Sequence, residues 1–169
     1  QIKTGEPIVN ALRKYPNLLI VSPDHQLYRR KSNELMNYLH ALTPDIEQVS
    51  IDECYLDFTG ISHLYPSPEE AARQIRETVR KQFGFTVNIG ISTNKLLAKM
   101  ASDFEKPDKT HTLYPEEIPR KMWPLPINDL FMAGHSSVET LAKLDIHTIG
   151  DLANTNPDIL ILHLKSHGR

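Results

Sequence analysis

At 169 residues the chain can bury a sizeable core in one or two domains. Its apolar share of 40%, charged share of 24% and net charge of −2 fit a soluble globular protein and argue against a strong, stand-alone nucleic-acid binder. No apolar run could span a bilayer, and the single cysteine, Cys54, excludes an internal disulfide, so the cytoplasm is the expected compartment.

The opening "QIKTGEP" lacks an initiator Met, and "KSHGR" stops just after an apolar run, so both ends read as cuts in a longer chain. "GEPIVNALRKYP" reads as a short helix with Pro7 in its first turn and Ile8 and Leu12 on one face. "NLLIVS" reads as a short buried strand. "DHQLYRRKSNELMNYLHAL" has the spacing of an amphipathic helix through Leu35, Leu39 and Leu42. Its "YRRK" is a local basic cluster that a solvated helix face explains.

"QVSIDECYLDFTG" is apolar and strand-like except for adjacent acids, Asp52 and Glu53. In one continuous strand each acid would stand in an apolar row, and unpaired buried charge is costly. A break at the pair is the better reading. One strand, about 47–51, rises to a turn and a second, about 54–59, returns antiparallel. Two readings then fit the tip. It is a solvated acidic turn, or both carboxylates face one small volume and share a hard cation, Mg²⁺ or Mn²⁺. Cys54 reads as a small core residue, since no partner base is identifiable.

"SPEEAARQIRETVRKQFG" carries a helix signature. Ser67 is placed as N-cap, Pro68 as N1 and Glu70 as N3 of a capping box, and Gly84 closes the far end. "FTVNIGIS" alternates with Phe85, Val87, Ile89 and Ile91 on one face. Ser92 or Thr93 is expected to cap "NKLLAKMASDFEK", which Pro107 ends, and "THTLY" reads as a last strand. Lys95 and Lys99 read as scaffold or solvated charge. This order predicts an α+β layer, a mainly antiparallel sheet with helices on one face. No Gly-rich nucleotide loop is present.

After Tyr114 the texture changes. "PEEIPRKMWPLP" has four prolines in twelve residues and reads as a boundary. The remainder reads as short helices. A helix, a tight turn with Gly134 and a helix over 137–144 make a helix-hairpin-helix candidate; a generic helical bundle fits as well. Thr148 and Asp151 are spaced as a second capping box, and Asn156-Pro157 opens a further helix.

"SIDECYLDFTG", "GFTVNIGISTNKLLAKMASDFEKPD" and "LPINDLFMAGHSSVETLAKLDIHTIGDLA" resemble, in order and spacing, the palm and thumb of Y-family DNA polymerases of the DinB and UmuC type. The thumb phrasing looks most like the UmuC-like branch of Gram-positive bacteria. The resemblance implies a lesion-bypass enzyme of DNA repair and the SOS response, taking primer-template DNA and dNTP as partners. A sliding clamp would bind through parts outside this chain. Asp52 and Glu53 would be the catalytic pair and metal ligands for Mg²⁺ or Mn²⁺, and Lys106 would contact the triphosphate. Gly134, His135, Ser136, Ser137 and Val138 would grip duplex backbone. Asp57, though in the motif, reads as structural.

On this resemblance residues 1–23 are a remnant of the fingers, 24–114 an incomplete palm and 115–169 the thumb. A further catalytic aspartate and the triphosphate clamp would lie upstream of Gln1, so the 169 residues alone are expected to be inactive. Near Gly134, Met132 and His135 stand where the family usually has a second glycine. Two alternatives stay open: a non-catalytic DNA-binding or scaffold protein, and another palm-type enzyme such as a nucleotide cyclase.

Overall fold

A computed structural model describes residues 2–165. Helix α1 (Ile8–Lys14) follows Pro7 and buries Ala11. The expected strand at "NLLIVS" does not form: the segment has no ladder, and Leu19 is 85% exposed. A strand needs a partner for its backbone groups, and among the described residues neither sheet includes this segment. Helix α2 (His25–His40) starts where the Asp24 carboxylate accepts the N–H of Leu27, and it buries Leu35, Met36 and Leu39.

Strands β1 (Ile46–Gln48) and β2 (Cys54–Leu56) pair antiparallel, with Glu47 opposite Tyr55. The hairpin is closed by the N–H groups of Val49 and Ser50, both donating to the Glu53 carbonyl. Its base is pinned by the buried Thr43 hydroxyl, which donates to the Asp57 carbonyl at 3.1 Å and accepts the N–H of Asp45.

Helix α3 (Pro68–Thr78) has the expected Ser67 cap, whose hydroxyl accepts the N–H of Glu70. The capping box does not close, because the Glu70 carboxylate turns to Arg73 and Gln74 instead. A wider turn over Val79–Phe83 leads to Gly84, which ends the segment at φ 77°. Helix α2, helix α3, the hairpin and the 83–89 segment share one core built on Leu35, Leu39, Ile75 and Val79.

Strand β3 (Ile89–Ile91), helix α4 (Lys95–Asp103) and strand β4 (Thr110–Thr112) form a crossover, so β3 and β4 pair parallel. The expectation of a mainly antiparallel sheet is therefore not met. Among the described residues there are two separate two-stranded sheets, one of each kind, because a helix between two strands of one sheet returns the chain in the same direction. The cap of α4 is Asn94, not Ser92 or Thr93; the Ser92 hydroxyl donates to the Leu113 carbonyl instead.

Helices α5 (Ile118–Lys121), α6 (His135–Ala142), α7 (Ile149–Ala153) and α8 (Pro157–Leu164) make up the rest of the described chain. The first helix of the expected helix-hairpin-helix is only a 3-10 turn, Ile127–Asp129. The Thr148–Asp151 capping box is present, with both bonds made. The proline-rich stretch is no break in packing. Leu97, Met100 and Ala101 of α4 join Leu113, Met122, Leu141 and Ile149 in a second core. Glu117 secures the junction by accepting the N–H of Tyr114 and pairing with Lys121 at 2.6 Å. These bonds hold its carboxyl down at about 2. The whole is a mixed α and β architecture of short strands and many helices.

Helix α4 lies directly on β3. A Cβ at Gly90 would collide with the Ala98 carbonyl oxygen and come within 2.5 Å of the Ser102 nitrogen, both of them backbone atoms. Only glycine permits that approach. Gly90→Ala is expected to destabilise the fold by about 3 kcal/mol or more, since helix and strand must separate. Gly60→Ala, which meets open space, should stay within about 0.5 kcal/mol. Urea unfolding of the two variants checks the contrast.

Candidate metal and phosphate site

Asp52 and Glu53 sit in the bend between β1 and β2, as the broken-strand reading expects. Ser50 organises the tip. Its hydroxyl donates to Asp52 Oδ1 at 2.7 Å and accepts the N–H of Glu53 at 3.1 Å. The buried Ser32 of α2 donates to the Ile51 carbonyl, which ties the tip to the helix beneath it. Both acids are exposed and line one cavity of about 1120 Å³, together with Lys99, Asp103 and Lys106.

The lysines come from α4 and the loop after it. Lys99 Nζ lies 2.6 Å from Glu53 Oε1 and 3.1 Å from Asp103 Oδ2. Its side chain is only 15% exposed. Burial alone would lower its pKa, but the bonds to Glu53 and Asp103 outweigh that and raise it. Lys106 Nζ lies 2.7 Å from Asp103 Oδ1. Asp103 is thus shared by two ammonium groups. Its partial burial is outweighed by the bonds from Lys106 and Lys99, which hold its carboxyl below the usual range. Further along the hairpin Lys95 pairs with Glu47.

The donor set suits a hard divalent cation. The pair offers oxygen atoms alone, at an exposed tip where water or a phosphate could complete a shell. Among the described residues no group of three His, Cys, Asp or Glu forms a closed cage. A Mg²⁺-like ion held by one or two carboxylates and completed by its substrate fits that arrangement better than a structural metal.

The sequence leaves Lys99 as scaffold or solvated charge; in the structure it touches Glu53. The signal was available as the i, i+4 spacing of Lys99 and Asp103 and the i, i+3 spacing of Asp103 and Lys106, but nothing local says which face meets the hairpin. Asp57 does serve the fold: its carboxylate accepts the N–H of Thr59 and its own N–H donates to Asp45.

Gly134 to Val138 lie apart from this cavity, at the start of α6. The N–H groups of Gly134 to Ser137 precede the first intrahelical bond of α6, from the Val138 N–H to the Gly134 carbonyl, and no side chain caps the helix. Gly134 has φ −71° and open space at Cβ; the left-handed residue of the turn is Met132, at φ 73°. The loop is joined to α4. The Phe131 N–H donates to Met100 Sδ at 3.3 Å, and Lys99 Nζ stands 5.8 Å from the Phe131 ring centre.

Residues 1–103 match the impB/mucB/samB family. Over 167 residues the chain is 50% identical to DNA polymerase IV of Clostridium acetobutylicum, covering 99% of this chain and 42% of that protein. A DNA polymerase IV of Moorella thermoacetica is 39% identical over 168 residues, with the same coverage. The chain thus spans less than half the length of these curated relatives. Among solved structures, DinB from Sulfolobus solfataricus superposes with a TM-score of 0.86 at 29% identity, over 99% of this chain and 50% of that one. A ternary complex of Dbh superposes at 0.84 and 30% identity, again over 99% and 50%.

Cys54 follows the acid pair but faces the core, packed against the Leu35–Val79 cluster. Burial pushes its thiol up to about 11. At pH 8 the thiolate is then about one part in a thousand, so labelling by a disulfide reagent should be slow in the native protein. It should become fast and stoichiometric on unfolding. Rapid labelling of the folded protein at pH 8 would place Cys54 outside the core.

Proposed function

The chain belongs to the impB/mucB/samB family, and from that premise we propose that its protein is a DNA-directed DNA polymerase of the lesion-bypass kind. The reaction is transfer of a nucleotide from dNTP to a primer 3′-hydroxyl. The observation that carries this reading is the acid-tipped hairpin facing Lys99 and Lys106 across one cavity. The likeness to a Dbh ternary complex supports it. We read residues 24–114 as palm, 115–169 as thumb and 1–23 as the tail of the fingers.

Asp52 and Glu53 would hold Mg²⁺ or Mn²⁺. When bound, such a cation neutralises triphosphate charge and favours the ionised primer hydroxyl. The protein's own residues do the rest by position. Lys106, whose side chain is 58% exposed, supplies a point charge to the triphosphate. The uncapped N-terminus of α6, from Gly134 through His135, Ser136 and Ser137, offers backbone N–H groups to duplex phosphate, while Val138 closes the first helical bond by donating its N–H to the Gly134 carbonyl. Contacts of that kind position DNA without reading its sequence.

The test is primer extension, with Mg²⁺ or Mn²⁺, by the full-length protein, since residues 1–169 alone are expected to be inactive. Asp52→Ala and Glu53→Ala should each lower incorporation by about 100-fold while primer-template binding persists. Metal-dependent turnover of nucleotide without DNA would favour a cyclase-like enzyme. DNA binding with neither incorporation nor metal dependence would favour a scaffold. Either result contradicts the proposal.

A further inference from the structure

The contact between Lys99 and Glu53 has a second carboxylate beside it. Lys99 Nζ reaches Glu53 at 2.6 Å and Asp103 at 3.1 Å, and its side chain is largely covered. Part of that cover is Phe131, whose ring centre is 5.8 Å from Nζ. A covered ammonium needs an anionic partner at all times, because leaving it unpaired is costly. Glu53, by contrast, is exposed and reachable by other cations. Asp52 is not part of the pairing; its Oδ1 is bonded by Ser50.

We propose that Lys99 is the resident counter-ion of Glu53, and that Asp103 is a positioning residue which retains Lys99 when Glu53 takes up a divalent cation. The proposal rests on the reading of Glu53 as a metal ligand. No bond is made or broken covalently; one ion pair is exchanged for another. Without a cation, Lys99 balances Glu53 and keeps the tip from repelling itself. With one, Lys99 shifts its hydrogen bond to Asp103, already within 3.1 Å, and does not lose its partner. Lys99 therefore competes with the cation, and Asp103 relieves the competition.

The two roles give opposite signs. Lys99→Met should tighten cation binding several-fold, since the competitor is gone. Asp103→Asn should weaken it several-fold, since Lys99 then has only Glu53. Simple addition of charges predicts the same signs, so the decisive comparison is the double variant. If Asp103 acts through Lys99, Asp103→Asn should have little effect once Lys99 is Met. If both act only as distant charges, its effect should be equal in both backgrounds.

The experiment is a Mn²⁺ titration of the protein, without nucleotide or DNA, read by the electron paramagnetic resonance of free Mn²⁺. It uses the wild type, Lys99→Met, Asp103→Asn and their double variant, together with Lys99→Arg with and without Asp103→Asn. Lys99→Arg keeps the charge and should keep the dependence on Asp103, which covers the case in which methionine disturbs packing. Non-additivity of about fivefold, with Lys99→Arg behaving as wild type, supports the exchange. Equal effects of Asp103→Asn in both backgrounds overturn it. Asp52→Asn and Glu53→Gln separate this from failure of the premise: Mn²⁺ binding that is absent, or that survives both changes, overturns the metal-site reading itself.

Discussion

The close approach of α4 to β3 is the constraint on which the rest depends. Gly90 lets a helix backbone lie on a strand backbone, and that contact fixes the height and direction of α4. From there the helix does two jobs. Leu97, Met100 and Ala101 enter the core beneath the C-terminal helices. Lys99, on the same helix, stands against the tip of the β1–β2 hairpin. The hairpin, the α4 lysines and the loop before α6 are held in register because all three meet one rigid helix.

The ion pairs differ in what they contribute. Lys95–Glu47, with both side chains more than half exposed, belongs to a class worth at most about 1 kcal/mol. Lys99 is different because it is covered. Its partners stabilise it locally, but a covered charge is weak evidence of net stability. The Glu53–Lys99–Asp103–Lys106 chain makes better sense as placement of charge around a cavity than as a staple.

Much of this was legible in the sequence. The acid pair could not sit mid-strand without burying charge, so the hairpin break followed from cost alone. Ser67, Pro68 and Gly84 announced the ends of α3 and its extension, and Thr148 with Asp151 announced α7. Most of the misses were decided by partners distant in sequence, although the Glu70 capping box was lost to Arg73 and Gln74 on the same helix. "NLLIVS" has the composition of a strand but no strand beside it. The parallel pairing of β3 and β4 follows from the crossover through α4, which local alternation cannot show. Among nearby polar residues, Asn94 took the cap of α4 while Ser92 turned to the Leu113 carbonyl. Lys99 looked like a solvated charge because helical spacing does not reveal a contact 46 residues away.

The account's central claim is that Asp52 and Glu53 form a cation site whose charge is managed from α4. Anomalous diffraction from crystals grown with Mn²⁺ and a non-reacting nucleotide tests it most directly. The account predicts an anomalous peak in contact with both carboxylates, at about the 2.1 Å expected for a small divalent ion. Lys99 Nζ should be hydrogen-bonded to Asp103 and withdrawn from Glu53. A peak elsewhere, with Lys99 still bonded to Glu53, would contradict it.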